Sequence, residues 1–208
     1  MYHIPCNNNT VCNSNKKDQG HRCRDKKNRR GPSSFHMQDA TKVFEKIGLK
    51  SGDTFLDLGC GAGDYSMHAA TLVDAIGRVY ALDCWPELVE TLEEEAKQLG
   101  IYNLYPVVAD IRREVPFDKG TIDVCMIATV LHMMDFPLQT RRVFEEVRRV
   151  LKEDGKLVVL ECKKEKRFFG PLLESRISPE MLEKELVQFG LYKEDYVDLG
   201  DNYMMIFR

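Results

Sequence analysis

The sequence predicts an α/β fold in which helices cover both faces of a doubly wound, mostly parallel sheet. Between residues 37 and 190, short apolar segments alternate with amphipathic segments of helical spacing. Such alternation is typical of parallel strands joined by crossover helices. A glycine-rich loop separates the first apolar segment from the next helix. The last two apolar segments, near 192–199 and 203–207, have no helix between them. They therefore predict a hairpin that adds an antiparallel last strand to the sheet.

The first helix is predicted before Gly48 by four apolar residues at helical spacing, Ala40, Val43, Phe44 and Ile47. Strands are predicted over 55–58, 79–82, 104–109, 122–128 and 156–160, and then over 192–199 and 203–207. Further helices are predicted near 64–73, 86–99, 137–151 and 179–189. Pro86 suits the first turn of its helix, and Gly100 suits its end. These elements predict a seven-stranded, Rossmann-like sheet whose ligand site lies at the carboxyl ends of the strands.

The composition is that of a folded domain with a chemically different N-terminal segment. Hydrophobic residues make up 43% of the 208 residues, which excludes a wholly disordered chain, and no apolar run is long enough for a transmembrane helix. The net charge of -3 conceals a division. Residues 1–30 carry eight basic and two acidic side chains, whereas residues 31–208 carry 22 basic and 31 acidic ones. We therefore predict a basic, cysteine-containing arm over residues 1–35 and one domain over 36–208.

The glycine loop Gly59-Cys60-Gly61-Ala62-Gly63 indicates a nucleotide-type ligand. A loop of small residues between a strand and a helix lets a ligand approach backbone N–H groups closely. Asp83 ends the second strand and suits ribose hydroxyls, while Asp110 ends the third and suits an adenine amino group. A dinucleotide is disfavoured because the third glycine comes one residue early for G-x-G-x-x-G and Asp64 would repel a pyrophosphate. A tight turn without a ligand is the structural alternative.

Several motifs, in order along residues 37–208, resemble class I S-adenosylmethionine-dependent methyltransferases. The first is Asp57-Leu58-Gly59-Cys60-Gly61-Ala62-Gly63, and the second is Val79-Tyr80-Ala81-Leu82-Asp83. Ala109-Asp110 resembles the acid that contacts adenine, and Leu131-His132-Met133-Met134-Asp135 resembles a later marker. Within this class, the chain is most similar to the small-molecule branch that includes the menaquinone and ubiquinone C-methyltransferases.

The resemblance implies S-adenosyl-L-methionine as cofactor and assigns roles to matching positions. Glycines of the loop would pass under the methionyl part, Asp57 would orient the loop or meet the cofactor amine, and Asp83 would bind the ribose. Cys84 and Trp85 would flank the adenine, whose edge Asp110 and Ile111 would contact. The implied cofactor-binding residues are Asp57, Gly59, Cys60, Gly61, Gly63, Asp83, Cys84, Trp85, Asp110, Ile111, Ala128 and Thr129.

Methyl transfer from a sulfonium is an in-line displacement that needs alignment of the acceptor more than a catalytic triad. His132, after the fourth strand, is the first candidate for a catalytic base, and the alternative is a histidine that braces its loop. Tyr65 is the second candidate and could instead pack against the sheet. Glu161 and Cys162 end the fifth strand and could reach the pocket. The basic and aromatic segment 163–171 is either a lid over the acceptor or a solvated loop.

The N-terminal arm contains a second candidate site. Cys6, Cys12, His21 and Cys23 could bind zinc or an iron–sulfur centre, although their spacing matches no standard signature. Alternative hypotheses are a thiol site for an arsenite-type substrate, a metal- or RNA-binding module without catalysis, and a passive arm. The residues Met1 to Asn15 lack the apolar segment of a secretory signal, so we expect a cytoplasmic protein with reduced thiols. The expected partner is a small-molecule methyl acceptor, with no membrane span, and no oligomeric state is predicted.

Overall fold

A computed structural model of the chain describes residues 33–208, in which seven strands form one sheet. The strands are β1 (Thr54–Leu58), β2 (Arg78–Asp83), β3 (Leu104–Val108), β4 (Ile122–Ala128), β5 (Leu151–Cys162), β6 (Lys193–Leu199) and β7 (Asn202–Phe207). The longer helices are α1 (Ala40–Ile47), α2 (Asp64–Leu72), α3 (Pro86–Gln98), α4 (Thr140–Val150) and α5 (Pro179–Leu186). Short 3-10 helices lie at Ser34–Met37, Leu131–Met133, Leu173–Ser175 and Val187–Phe189.

The strand order is β3-β2-β1-β4-β5-β7-β6. Strands β1 to β5 pair in parallel, whereas β7 lies between β5 and β6 and runs antiparallel to both. The predicted doubly wound sheet with an antiparallel last strand is therefore confirmed. The chain leaves β1 in one direction towards β3 and returns to place β4 on the other side. The carboxyl ends of β1 and β4 thus form the switch point at which such sheets bind ligands.

Local sequence explains the boundaries of the helices. Asp39 caps α1 by accepting hydrogen bonds from the N–H groups of Thr41 and Lys42, and Gly48 ends the helix in the left-handed conformation. The apolar residues that predicted α1 include Phe44, which is buried against the sheet. Pro86 occupies the first turn of α3, as predicted. Helices α1 and α3 thus carry start or stop signals of their own, and both bury an apolar face in the core.

Two elements begin well away from their predicted first residues. Helix α4 begins at Thr140 rather than at residue 137, because the residues before it form a turn in which the Gln139 N–H donates to the Asp135 carbonyl at 2.7 Å. Strand β5 begins at Leu151 rather than at residue 156. Leu151 pairs with Ile122 across a register shift, so five residues that resemble a turn in sequence extend the strand as a bulged segment.

The core lies on both faces of the sheet. One face packs against α4 and α5 and contains Phe144 and Tyr203, while the other packs against α1, α2 and α3 and contains Phe55 and Leu92. In the part of the chain that the structure describes, no helix is both long enough and apolar enough to cross a membrane. The helices therefore leave the carboxyl edge of β1, β2 and β4 as the place where loops converge.

Candidate functional site

The glycine loop after β1 is tied to the end of β2 by backbone hydrogen bonds. The N–H groups of Gly59 and Cys60 both donate to the Leu82 carbonyl, at 2.8 and 2.9 Å. The Gly61 N–H donates to Oδ2 of Asp83 at 3.0 Å. Two neighbouring strand ends therefore form one unit, in which the predicted loop and the predicted ribose acceptor are in direct contact.

The glycines of this loop are required for two different reasons. A Cβ on Gly59 would lie 2.6 Å from the Val130 side chain, and a Cβ on Gly63 would overlap the Leu92 side chain. A Cβ on Gly61, whose φ is +56°, would meet no atom within 4 Å. Packing therefore accounts for Gly59 and Gly63, whereas Gly61 leaves open space above the loop. A ligand that lies close to the backbone fits this space.

Asp83 is nearly buried, and each oxygen of its carboxylate already accepts one backbone hydrogen bond. The second bond comes from the Trp85 N–H, which donates to Oδ1 at 3.0 Å. Because each carboxylate oxygen has two acceptor sites, one site on each oxygen is left for the hydroxyls of a vicinal diol. Cys84 is exposed and precedes the partly exposed indole of Trp85. The residues of this strand end thus suit a ribose and an adjacent flat ring.

Asp110, the predicted acceptor for adenine, is held by a neighbour that the sequence argument did not include. Arg112 donates from Nε and Nη2 to the two carboxylate oxygens of Asp110, both at 2.9 Å, and its own N–H donates to Oδ1 at 3.0 Å. The hydrogen bond from the Arg112 side chain lowers the pKa of Asp110. Ile111 is buried beside them. An adenine amino group would therefore share this carboxylate with a guanidinium.

Asp57 lies in β1 and is buried. The hydroxyl of Ser66 in α2 donates to Asp57 Oδ2 at 2.6 Å, which joins the end of β1 to the helix that follows the glycine loop. Burial raises the pKa of Asp57 to about 7, despite the opposing effect of the Ser66 hydrogen bond. A cation placed near Asp57 would stabilise the charged carboxylate and lower this pKa again.

Tyr65, a predicted catalytic residue, lies at the centre of a hydrogen-bond network. Its hydroxyl oxygen accepts from Gln38 Nε2 at 2.7 Å and lies 3.3 Å from the Ser34 hydroxyl, which in turn accepts from Thr129 at 3.2 Å. Gln38 also accepts from Asn202 at 2.9 Å. Burial raises the pKa of Tyr65 to about 12. The network around Tyr65 therefore connects the 3-10 turn at Ser34–Met37 to the ends of β4 and β7. With a pKa this high, the Tyr65 hydroxyl stays protonated near neutral pH.

His132, the other predicted catalytic residue, is oriented by a buried carboxylate. Its Nδ1 lies 2.8 Å from Oε2 of Glu161. Glu161 is fully buried, and its Oε1 accepts from the Leu131 N–H at 2.8 Å. In the imidazole tautomer that donates from Nδ1 to this carboxylate, Nε2 is the ring nitrogen left to accept a proton. Of the remaining predicted floor residues, Ala128 ends β4, and Thr129 follows it with a φ of +55°.

The predicted thiol and metal residues fall in two parts of the chain. Cys6, Cys12, His21 and Cys23 lie outside the described residues. Within residues 33–208, no group of three or more His, Cys, Asp or Glu side chains is arranged to hold a metal ion. Burial raises the pKa of Cys162 to about 11, which keeps its thiol protonated near neutral pH.

Comparison with known proteins assigns the chain to a family. A family model described as a methyltransferase domain matches residues 49–200, and the chain belongs to this family. A solved structure of a SAM-dependent methyltransferase from Aquifex aeolicus superposes with a TM-score of 0.77 at 30% identity. The superposition covers 86% of this chain and 93% of that one.

The chain spans about half the length of the curated relatives that it matches. A 2-phytyl-1,4-naphtoquinone methyltransferase from Trichormus variabilis is 34% identical over 116 residues, which are 55% of this chain and 48% of that protein. A ubiquinone/menaquinone biosynthesis C-methyltransferase from Citrifermentans bemidjiense is 29% identical over 119 residues, 57% of this chain and 49% of that protein. The similarity to these quinone methyltransferases thus spans about half of their length.

Proposed function

We propose that this chain transfers a methyl group from S-adenosyl-L-methionine to the ring of a quinone-type small molecule. The observation that carries the proposal is the open space above Gly61 beside the doubly anchored carboxylate of Asp83. Both lie at the switch point of a methyltransferase-family fold. The quinone ring is proposed because several relatives are named for methyl transfer to naphthoquinones or menaquinones.

The carboxyl ends of β1 to β4 supply the residues that would hold the cofactor. Asp83 would accept hydrogen bonds from the ribose hydroxyls, Trp85 would offer its indole to the adenine, and Asp110 would contact the adenine amino group. Asp57 would attract the cofactor's ammonium group. The full assigned set is Asp57, Gly59, Cys60, Gly61, Gly63, Asp83, Cys84, Trp85, Asp110, Ile111, Ala128 and Thr129. When bound, the cofactor supplies an electrophilic methyl group on a sulfonium.

His132 would act as the base that prepares the acceptor. With Nδ1 donating to Glu161, the free Nε2 can accept the proton of a hydroxyl on a reduced quinone ring. Loss of that proton increases the electron density at the adjacent ring carbon. That carbon would be the nucleophile for the methyl group that bound S-adenosylmethionine would supply, and the ring hydrogen would leave afterwards as a proton. The enzyme itself is proposed to be cytoplasmic.

Two measurements test the proposal in sequence. Titration calorimetry with S-adenosylhomocysteine tests the cofactor site, and Asp83→Asn should weaken the binding at least tenfold because it removes a charged acceptor of two hydroxyl groups. Incubation with isotope-labelled S-adenosylmethionine and a reduced naphthoquinone should give a ring-methylated product by mass spectrometry. Binding without any methyl transfer to quinols would reject the acceptor class, and an absence of binding would reject the cofactor.

His132→Gln tests the base separately. Glutamine keeps a polar side chain of similar reach but accepts no proton, so turnover should fall about a hundredfold while affinity for S-adenosylhomocysteine stays unchanged. The arsenite-type, metal-binding and RNA-binding alternatives depend on residues 1–32, which lie outside the described part of the chain. Among residues 33–208, no cluster of three or more His, Cys, Asp or Glu side chains could hold a metal ion.

A further inference from the structure

The loop after β5 exposes large apolar side chains beside the candidate site. Phe168 is fully exposed, and Leu172 and Phe169 keep 75% and 51% of their surfaces in contact with solvent. The loop spans residues 163–173 and starts at the carboxyl end of β5, which is the sheet edge that also carries His132. Isolated exposed apolar residues are ordinary, but several on one loop indicate an interaction surface.

A buried arginine holds this loop in a defined shape. The guanidinium of Arg176 is almost completely buried and donates to four backbone carbonyls of the loop, at distances from 2.7 to 3.0 Å. Those carbonyls belong to Lys163, Glu165, Phe169 and Pro171. A pocket of about 230 Å³ is lined by residues 165–173 of the loop and by Arg176. The apolar side chains are therefore presented outward by a framework of hydrogen bonds within the loop.

The charge of the loop is opposite to that of the domain. Residues 31–208 carry 31 acidic and 22 basic side chains, yet residues 163–173 carry four basic side chains and one acidic one. Ion pairs engage Lys163 with Asp198 and Arg167 with Asp201. Lys166 makes no ion pair with any residue of 33–208. Exposed aromatic and aliphatic side chains flanked by lysines are the composition of protein segments that bind at the surface of an anionic bilayer.

We propose that residues 163–173 dock this chain on an anionic lipid bilayer, with Phe168 and Leu172 entering the boundary between headgroups and acyl chains. The inference rests on the proposed function, because a quinone with a long hydrocarbon tail is itself dissolved in the bilayer. Docking by this loop would turn the carboxyl edge of the sheet, and with it His132, towards the membrane in which the acceptor resides.

Sedimentation of the full-length protein with vesicles tests the proposal. Vesicles of equal parts phosphatidylcholine and phosphatidylglycerol should bind the parent protein, and phosphatidylcholine alone should bind it several-fold more weakly. Phe168→Ser with Leu172→Ser should weaken partitioning to the mixed vesicles by about tenfold or more, because two large apolar side chains no longer enter the bilayer. The matched control is Ile76→Ser with Leu99→Ser, which removes similar exposed side chains at the opposite edge of the sheet and should leave binding unchanged.

Other outcomes overturn the proposal. Absence of vesicle binding by the parent protein, or equal binding by the loop variant, would show that the loop does not dock on lipid. The loop variant could instead bind vesicles as the parent protein does but methylate a long-tailed quinol more slowly in detergent micelles. That result would mean that the loop contacts the acceptor and not the membrane. Vesicle binding is measured without cofactor or acceptor, so a failure of the proposed methyl transfer would be seen separately. A thermal unfolding scan of each variant confirms that it is folded.

Discussion

Replacing the buried acid of β1, Asp57→Asn, should stabilise the protein at neutral pH. The pKa of this carboxyl group is raised from 3.8 to about 7 by burial. Asparagine has nearly the same shape, carries no charge at any pH, and keeps an oxygen that can accept the hydrogen bond from Ser66. The substitution therefore removes the cost of burying a charge and leaves the local packing in place.

The sign and size of the effect follow from proton linkage. Between about pH 4 and pH 7 the folded protein keeps a proton on Asp57 that the unfolded chain releases. The free energy of unfolding should therefore fall as pH rises through this interval and level off above it. A shift of about three units corresponds to roughly 4 kcal/mol, since each unit is worth about 1.4 kcal/mol. Asp57→Asn should lack this fall, so its advantage over the parent protein should grow with pH and be largest near pH 8.

Urea unfolding at a series of pH values from 4 to 8 measures the difference directly. Asp118→Asn, which alters an exposed carboxylate at a loop, is the matched control and should follow the parent curve. Parallel curves for the parent protein and Asp57→Asn would refute the argument. So would a variant that is less stable than the parent protein at pH 8.

Three further predictions concern the loop, the ribose acceptor and a half-buried arginine. Gly61→Ala should cost only about 1 kcal/mol of stability but weaken S-adenosylhomocysteine binding more than tenfold. Gly63→Ala should instead lower the thermal midpoint markedly, because the added Cβ overlaps the side chain of Leu92 in the core. Equal stability losses in the two variants would contradict the distinction. Asp83→Asn should lower the urea midpoint moderately, because its amide nitrogen cannot accept one of the two backbone hydrogen bonds, and it should weaken the same binding in calorimetry. Unchanged affinity in the folded variant would remove Asp83 from the site. Arg149→Met should destabilise by about 3 kcal/mol in urea unfolding, since the guanidinium donates to two loop carbonyls at 2.7 and 3.0 Å and pairs with a buried carboxylate. A loss below about 1 kcal/mol would mean that the pair is not a structural contact.

The parts of the fold that could be predicted are those whose determinants are local in sequence. Apolar spacing and the caps at Asp39 and Gly48 define α1, and the absence of a helix between the last two strands gives their antiparallel pairing. The start of β5 was predicted wrongly because residues 153–155, Glu-Asp-Gly, have turn composition. In the structure they extend a bulged strand, which only its pairing with Ile122 specifies.

The same contrast holds within the candidate site. The glycine loop and Asp83 could be predicted together because both end neighbouring strands of a regular sheet. The network around Tyr65 could not, since Asn202 and Gln38 are 164 residues apart and meet only in the folded chain. Arg112 was missed although it follows Asp110 by two residues. An arginine two residues after a predicted carboxylate acceptor is a local signal that predicts an ion pair at that acceptor.

We propose that this chain transfers a methyl group to a quinone-type ring at the carboxyl edge of its sheet. The most direct measurement is mass spectrometry of reduced 2-phytyl-1,4-naphthoquinone after incubation with the full-length protein and S-adenosylmethionine that carries a deuterated methyl group. We predict one labelled methyl group on a ring carbon with the parent protein and at least tenfold less product with Asp83→Asn. Recovery of unlabelled quinone only, from a protein that binds S-adenosylhomocysteine, would contradict the claim.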